Sequence, residues 1–532
     1  MTRLFFAGAL LLSLTLAAQD RAPLPTTDDE ARALAATITT DDLRRHLTVL
    51  SSDEMEGRET GQPGQKRAAE YIAGQLRDMG FPAAGEDDGY FQTITFSRQN
   101  WNTIGMKLNG RDLRHLWEFY SAPSRNADRD SLQIDEVVFL GYGIDDARYS
   151  DYARHDVEGK TIMIFAGEPK GRDGNSLVTD SAEPSEYATD DSKKLRAAYA
   201  HGVKTVLIID PAFKQNVGQV RRETLDGRMK MTETTEAGRE SANNIYITTD
   251  LARDILGKEY RRVVKARKRL EKTGRFRPVT VPTDIVLYQD KEVKELIGEN
   301  VLGFLEGSDP ELASEVLVVS AHYDHIGKRG DAIFNGADDN GSGSSTILEL
   351  AQAFMEAKKE GLGPRRSVLF LWVSGEEKGL LGSEYYSTHP VFPLENTVAD
   401  INVDMVGRID DAHEGNPNYI YVIGSDRLST ELHNINEAVN RDFTQLELDY
   451  TYNAKDDPNN FYERSDHYNF AEKGIPSIFF FNGTHADYHR DTDTIEKIDF
   501  DKMVHIGQLV FYNAWQLANQ DKRIEVDVKS KR

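Results

Sequence analysis

The chain contains no cysteine. That excludes disulfide staples, thiolate nucleophiles, thiolate metal ligands and a lipidated N-terminal cysteine, so any metal site must be built from His, Asp and Glu. Positive charge is scarce as well: 64 Lys plus Arg face 88 Asp plus Glu, a net charge of −24. Such a balance repels nucleic-acid phosphates and anionic lipid surfaces, which argues against a nucleic-acid partner. Long apolar runs are also missing. The run at residues 4–16 is too short to span a bilayer, and no later segment approaches that length, so no membrane span is expected in the mature protein. Met1-Thr2-Arg3 precedes that run and Ala17-Ala18 comes after it, the layout of a signal peptide over residues 1–18. Export to a periplasm or to the medium is the expectation.

The 532 residues, 39% of them apolar, exceed what one core organises, and two or three domains are expected. Leu43, Leu47 and Leu50 recur at helical spacing, and residues 64–79 form a second helix with Ala68, Ile72, Leu76 and Met79 on its stripe and Gly80 as C-cap. Between 113 and 282 the texture changes to short buried strands (137–140, 161–165, 205–209) with a helix or two, a β-rich module. Its last helix, 260–271, carries Arg261, Arg262, Lys265, Arg267, Lys268 and Arg269, a basic run that suits a solvated face or an acidic partner. From 301 onward strands at 316–320, 368–373, 401–403 and 478–481 alternate with helices such as 344–356. The fold class is α/β, with a mixed, mostly parallel central sheet flanked by helices. The expected parts are a signal peptide (1–18), a first stretch of the main domain (19–112), the β-rich insertion (113–282), the rest of the main domain (283–522) and a tail (523–532).

The acidic and imidazole groups fall just beyond those strands, where α/β sheets bind ligands. Strand 316–320 leads into His322, Asp324 and His325, strand 368–373 into Glu376 and Glu377, strand 401–403 into Asp404, and strand 478–481 into His485, Asp487 and His489. The loop Gly336-Ala337-Asp338-Asp339-Asn340 adds two more carboxylates. Any one of these groups alone reads as a turn or a helix start. Carboxylates gathered at one sheet edge repel one another, and a cation is the natural remedy.

These stretches resemble the M28 family of zinc peptidases. The resemblance rests on Ser320-Ala321-His322-Tyr323-Asp324-His325-Ile326-Gly327, on Gly336 to Gly343, on Ser374-Gly375-Glu376-Glu377-Lys378-Gly379, on Asp404-Met405-Val406-Gly407 and on His485-Ala486-Asp487-Tyr488-His489. It extends to Met55-Glu56-Gly57-Arg58-Glu59-Thr60-Gly61, and the middle module is similar to an inserted protease-associated domain. The resemblance implies two co-catalytic zinc ions, bridged by Asp339, with His322 and Asp404 on one and Glu377 and His489 on the other. It further implies Glu376 as general base, Tyr488 as oxyanion partner, Asp324 holding His322, and a cis peptide after Asp339. His325 and His485 are expected nearby without ligating. Two such ions about 3.5–4 Å apart lower the pKa of water between them, and a base must keep a free lone pair, so Glu376 cannot also be a tight ligand.

A peptide substrate is implied, hydrolysed at a chain end, with an aminopeptidase as the leading reading. A glutamate-releasing carboxypeptidase shares fold and insertion. A glutaminyl cyclase uses one zinc, against the full ligand set here, and non-catalytic binding relatives lose ligands that this chain keeps. Nothing in the pattern specifies an oligomer.

Overall fold

The computed structural model of the protein describes residues 24, 26–153, 155–232, 241–274 and 276–528. The expected signal segment and residues 529–532 of the expected tail lie outside them. The chain divides into one unit built from the chain up to Ile94 and from Ile297 onward, and a second from Thr95 to Leu296. The inserted unit is therefore wider than 113–282. Strands Phe91–Leu108 and Val279–Leu305 carry the chain in and out as unbroken extended backbone, so the change in sequence texture falls inside the unit and not at its limits. Those two strands pair with each other.

In the first unit the sheet runs in the order Glu447–Asp449, Tyr419–Ile423, Ser477–Phe481, Thr397–Val403, Val316–His322, Ser367–Val373 and the end of Val279–Leu305. Val316–His322 is parallel to both neighbours, and Thr397–Val403 is parallel to Ser477–Phe481. Antiparallel pairing enters through Tyr419–Ile423 against Ser477–Phe481 and Ser367–Val373 against Val301 to Leu305. Every residue of the four central strands is buried, which is why they read as continuous apolar runs instead of alternating ones.

The pleat sorts their side chains onto two faces. Leu317, Val319 and Ala321 join the core beneath helices Thr40–Leu50, Pro63–Met79, Gly343–Glu360 and Phe500–Asn519, while Val316 and Val318 pack with Tyr386, Phe470 and Ile475. Helix Phe500–Asn519 was not expected from the sequence pattern. Sixteen of its 20 residues are buried, so it lacks the one-sided stripe by which a surface helix is recognised. Among the described residues no helix is long and apolar enough to cross a membrane.

The second unit holds more helix than its sequence suggested. Arg129–Phe139, Thr161–Phe165, Thr205–Ile209 and Asn243–Ile247 pair in parallel, one after the next. Parallel neighbours need crossover connections, and helices Asp191–Ala200 and Phe213–Asp226 supply two of them. Helices Thr249–Leu256 and Tyr260–Thr273 come after the last of these strands.

Candidate metal centre

Each chemical group reaches the sheet edge for a local reason. His322 is the last residue of its strand, two positions further than the apolar pattern ran. Glu376 and Glu377 open a short helical turn after Gly375, whose φ of 74° only glycine adopts freely. Asp404 comes directly after Val403, and His489 lies in the loop after Ser477–Phe481. Asp339 sits in the turn Ala337–Ser342 that feeds helix Gly343–Glu360, and the Asp339–Asn340 peptide is cis, as the resemblance implies.

These side chains converge. His322 Nε2 lies 3.2 Å from Asp404 Oδ1, 3.5 Å from Asp339 Oδ1 and 3.9 Å from Glu376 Oε2. His489 Nε2 lies 3.1 Å from Asp339 Oδ2 and 3.2 Å from Glu377 Oε1. Asp339 therefore turns one oxygen to each histidine. His325, which was expected beside the site only, enters the second group: its Nδ1 is 3.0 Å from Glu377 Oε1 and 3.8 Å from Asp339 Oδ2. Gly336 allows that approach, since a Cβ there would stand 2.5 Å from the His325 ring. His485 stays outside, with Nε2 3.1 Å from Asp338 Oδ2.

The donors suit a metal pair. Asp339 Oδ2, Glu377 Oε1 and both His325 nitrogens are buried without a hydrogen-bond partner, and nitrogen-plus-carboxylate sets are what zinc-type ions take. Two clusters, His322 with Glu376 and Asp404, and His325 with Asp339 and Glu377, each bring three donor atoms within 4.8 Å of one another.

Electrostatics separates the two adjacent glutamates. Burial pushes Glu376 well above the usual carboxylate range, and the charges of Asp404 and Glu377 add to the push. Burial acts on Glu377 in the same direction, but the His325 and His489 rings, 3.0 and 3.2 Å away, outweigh it and hold Glu377 well below that range. His489 is opposed by burial yet raised to about 10 by its contacts with Asp339 and Glu377. Neighbouring carboxylates driven apart in this way are suited to different roles. The Tyr488 ring stacks on His489 with centroids 3.9 Å apart, and burial, aided by the charges of Asp339 and Glu377, pushes its hydroxyl upward, keeping it a proton donor. Met405, Phe461, Phe479 and Phe481 form an apolar wall of the same cleft.

Asp324 supports His322 differently from the expectation. Its main-chain oxygen lies 3.1 Å from His322 Nδ1, whereas its carboxylate Oδ1 is 3.8 Å away. That carboxylate is engaged by the Thr60 hydroxyl at 2.7 Å and by the Glu376 N–H at 3.1 Å.

Several supporting residues had no signal of their own in the sequence. Asp493 accepts the N–H groups of Asp338 and Asp339 at 3.0 and 3.1 Å, Ser465 donates to Asp404 Oδ2 at 2.7 Å, and Gln65 donates to Ser374 at 2.6 Å. Arg58 is the most connected. Fully buried, it donates to the carbonyls of Tyr323 and Asn335 at 2.7 Å, of Gly336 at 2.8 Å and of Leu50. Burial lowers its pKa to about 10, while Asp339, Asp493, Asp324 and Glu377 act to raise it. Arg58→Met would strip donors from buried carbonyls, each costing about 1–3 kcal/mol. We expect a loss of several kcal/mol in the unfolding free energy of the metal-free protein, with Arg58→Lys intermediate because an ammonium cannot span the same segments. A methionine variant melting with the wild type would show that these bonds are dispensable.

Residues 300–514 match the family model Peptidase family M28. A probable leucine aminopeptidase of Trichophyton verrucosum is 34% identical over 216 residues, covering 39% of this chain and 56% of that protein. Leucine aminopeptidase 1 of Trichophyton equinum is 30% identical over the same length and coverage. The match thus spans little more than half the length of these curated relatives. The solved aminopeptidase from Aneurinibacillus sp. strain AM-1 superposes with a TM-score of 0.55 at 18% identity, covering 94% of this chain and 98% of that one, a likeness of fold. Over residues 300–514 the sequence is similar to peptidase family M28, and the sheet has the fold of a solved aminopeptidase.

Proposed function

We propose that the protein is an exported aminopeptidase that works with two zinc ions and hydrolyses the N-terminal peptide bond of its substrate. The observation that carries this reading is Asp339, which offers Oδ1 to the His322–Asp404 side and Oδ2 to the His489–Glu377 side. His322 and Asp404 would hold one ion, Glu377 and His489 the other, with Asp339 shared. His325 would fix Glu377 at 3.0 Å from the buried side. Bound ions supply Lewis-acid polarisation of the scissile carbonyl and lower the pKa of the attacking water.

The chain's own groups do the rest. Glu376, raised by burial, accepts the water's proton and returns it to the leaving amine. The Tyr488 hydroxyl, which stays protonated, donates a hydrogen bond where negative charge develops on the former carbonyl oxygen. The apolar wall of Phe461, Phe479 and Phe481 favours an apolar side chain on the first substrate residue. Export rests on the signal pattern of residues 1–18, and the unit 95–296 is read as a protease-associated insertion.

The test is hydrolysis of leucine p-nitroanilide beside N-acetylated and C-terminal-glutamate peptides. We expect turnover of the free-amine substrate alone, abolished by chelation and restored by zinc. Activity on the blocked peptides only would move the assignment to a carboxypeptidase. No activity with two zinc ions bound would leave a binding protein.

A further inference from the structure

The proposed chemistry makes no use of the basic helix Tyr260–Thr273. It bears seven Lys and Arg residues against one Glu, in a chain whose net charge is −24. Two of the seven are matched: Arg262 lies 2.7 Å from Glu259 and Arg267 lies 3.5 Å from Glu271. Arg261, Lys265, Lys268 and Lys272 recur every three or four positions, which places them along one helix face. All four are exposed, and none has an ion-pair partner among the described residues. The stripe spans twelve residues, about 16 Å from first to last at the helical rise.

Beside it lies an apolar chamber of about 440 Å³. Phe165, Ile209 and Pro211, at and just beyond the carboxyl ends of two parallel strands, form one side. Leu256, Val263 and Val264 form the other, and Lys268 of the stripe stands at its lining. The chamber has the size and position of a ligand site in a parallel α/β sheet. The Arg267 guanidinium rests over the Phe165 ring at 4.7 Å, so it stays on the wall.

We propose that this surface binds an acidic peptide segment with one apolar anchor residue, the anchor filling the chamber and the flanking carboxylates lying along the stripe. Five extended residues at about 3.3 Å each match the stripe's length. Charge decides between peptide and membrane. A broad anionic bilayer would meet the repulsion of a strongly acidic molecule, whereas a short peptide, screened beyond about 8 Å at physiological salt, meets only the local cations.

The probe is a fluorescent, N-acetylated and C-amidated peptide of four glutamates around one leucine, titrated by anisotropy onto the full-length zinc-loaded protein. Its blocked end keeps it from being a substrate of the proposed aminopeptidase, so binding and catalysis are read independently. We expect saturable binding that weakens with salt. It should fall about tenfold or more when the leucine is replaced by serine, and again in Lys265→Glu/Lys268→Glu, with leucine p-nitroanilide hydrolysis unchanged. Three results would overturn the proposal: no binding, binding indifferent to the charge reversal, or equal affinity for the serine peptide. Phosphatidylglycerol vesicles that bind through the same lysines while the peptide does not would likewise replace it with a membrane site.

Discussion

Glu376→Gln is expected to leave two zinc ions bound and to lower kcat by about 100- to 10,000-fold, the usual contribution of a positioned general base. The substitution keeps shape and removes only the capacity to take a proton. Glu376 suits that capacity because burial, reinforced by Asp404 and Glu377, raises its proton affinity. Its neighbour should behave in the opposite way. Glu377 lies 3.0 Å from His325 and 3.2 Å from His489 and is held well below the ordinary carboxylate range. Glu377→Gln should therefore lower occupancy of one zinc position, read by metal analysis after dialysis, with activity recovering as zinc is added. If the Glu376 variant loses metal and the Glu377 variant turns over normally, the two roles are exchanged.

The second large effect concerns Asp339. Zinc that binds only the folded protein should stabilise it by about 2.7 kcal/mol at a hundred times its dissociation constant. It also relieves the confinement of four carboxylates, Asp339, Glu376, Glu377 and Asp404, in one cleft. Asp339→Asn should abolish most of that zinc-dependent rise in melting temperature, because this residue faces both His322 and His489. Calorimetric titration should show both zinc affinities falling together, with activity lost. A variant that keeps one site at wild-type affinity would show that Asp339 serves a single ion.

Much of this arrangement was legible in the chain because strand ends and site residues are adjacent in sequence. The runs 316–320, 368–373, 401–403 and 478–481 lie within buried parallel strands, and the residues just after each run must emerge at the carboxyl edge. Apolar continuity giving way at once to His322, Glu376 and Glu377, Asp404 and the 485–489 loop thus determined both the sheet and the place of its chemistry. The absence of cysteine limited the donors to nitrogen and oxygen before any coordinate was known.

Tertiary structure decided the features that depend on pairing across distance. Asp324 was expected to hold His322 by its carboxylate, but Thr60, 264 positions away, and the Glu376 N–H engage that group, leaving the main-chain oxygen to do so. His325 reaches Glu377 only because Gly336 lets its ring close in, and Arg58 ties together Leu50, Tyr323, Asn335 and Gly336, which are separate in the chain. The limits of the inserted unit obey the same rule: contacts, not composition, place them at 95 and 296. Local pattern is set by the burial of each segment, which composition records. The partner of a buried polar group is set by whichever distant segment folds against it, and no single stretch of sequence carries that information.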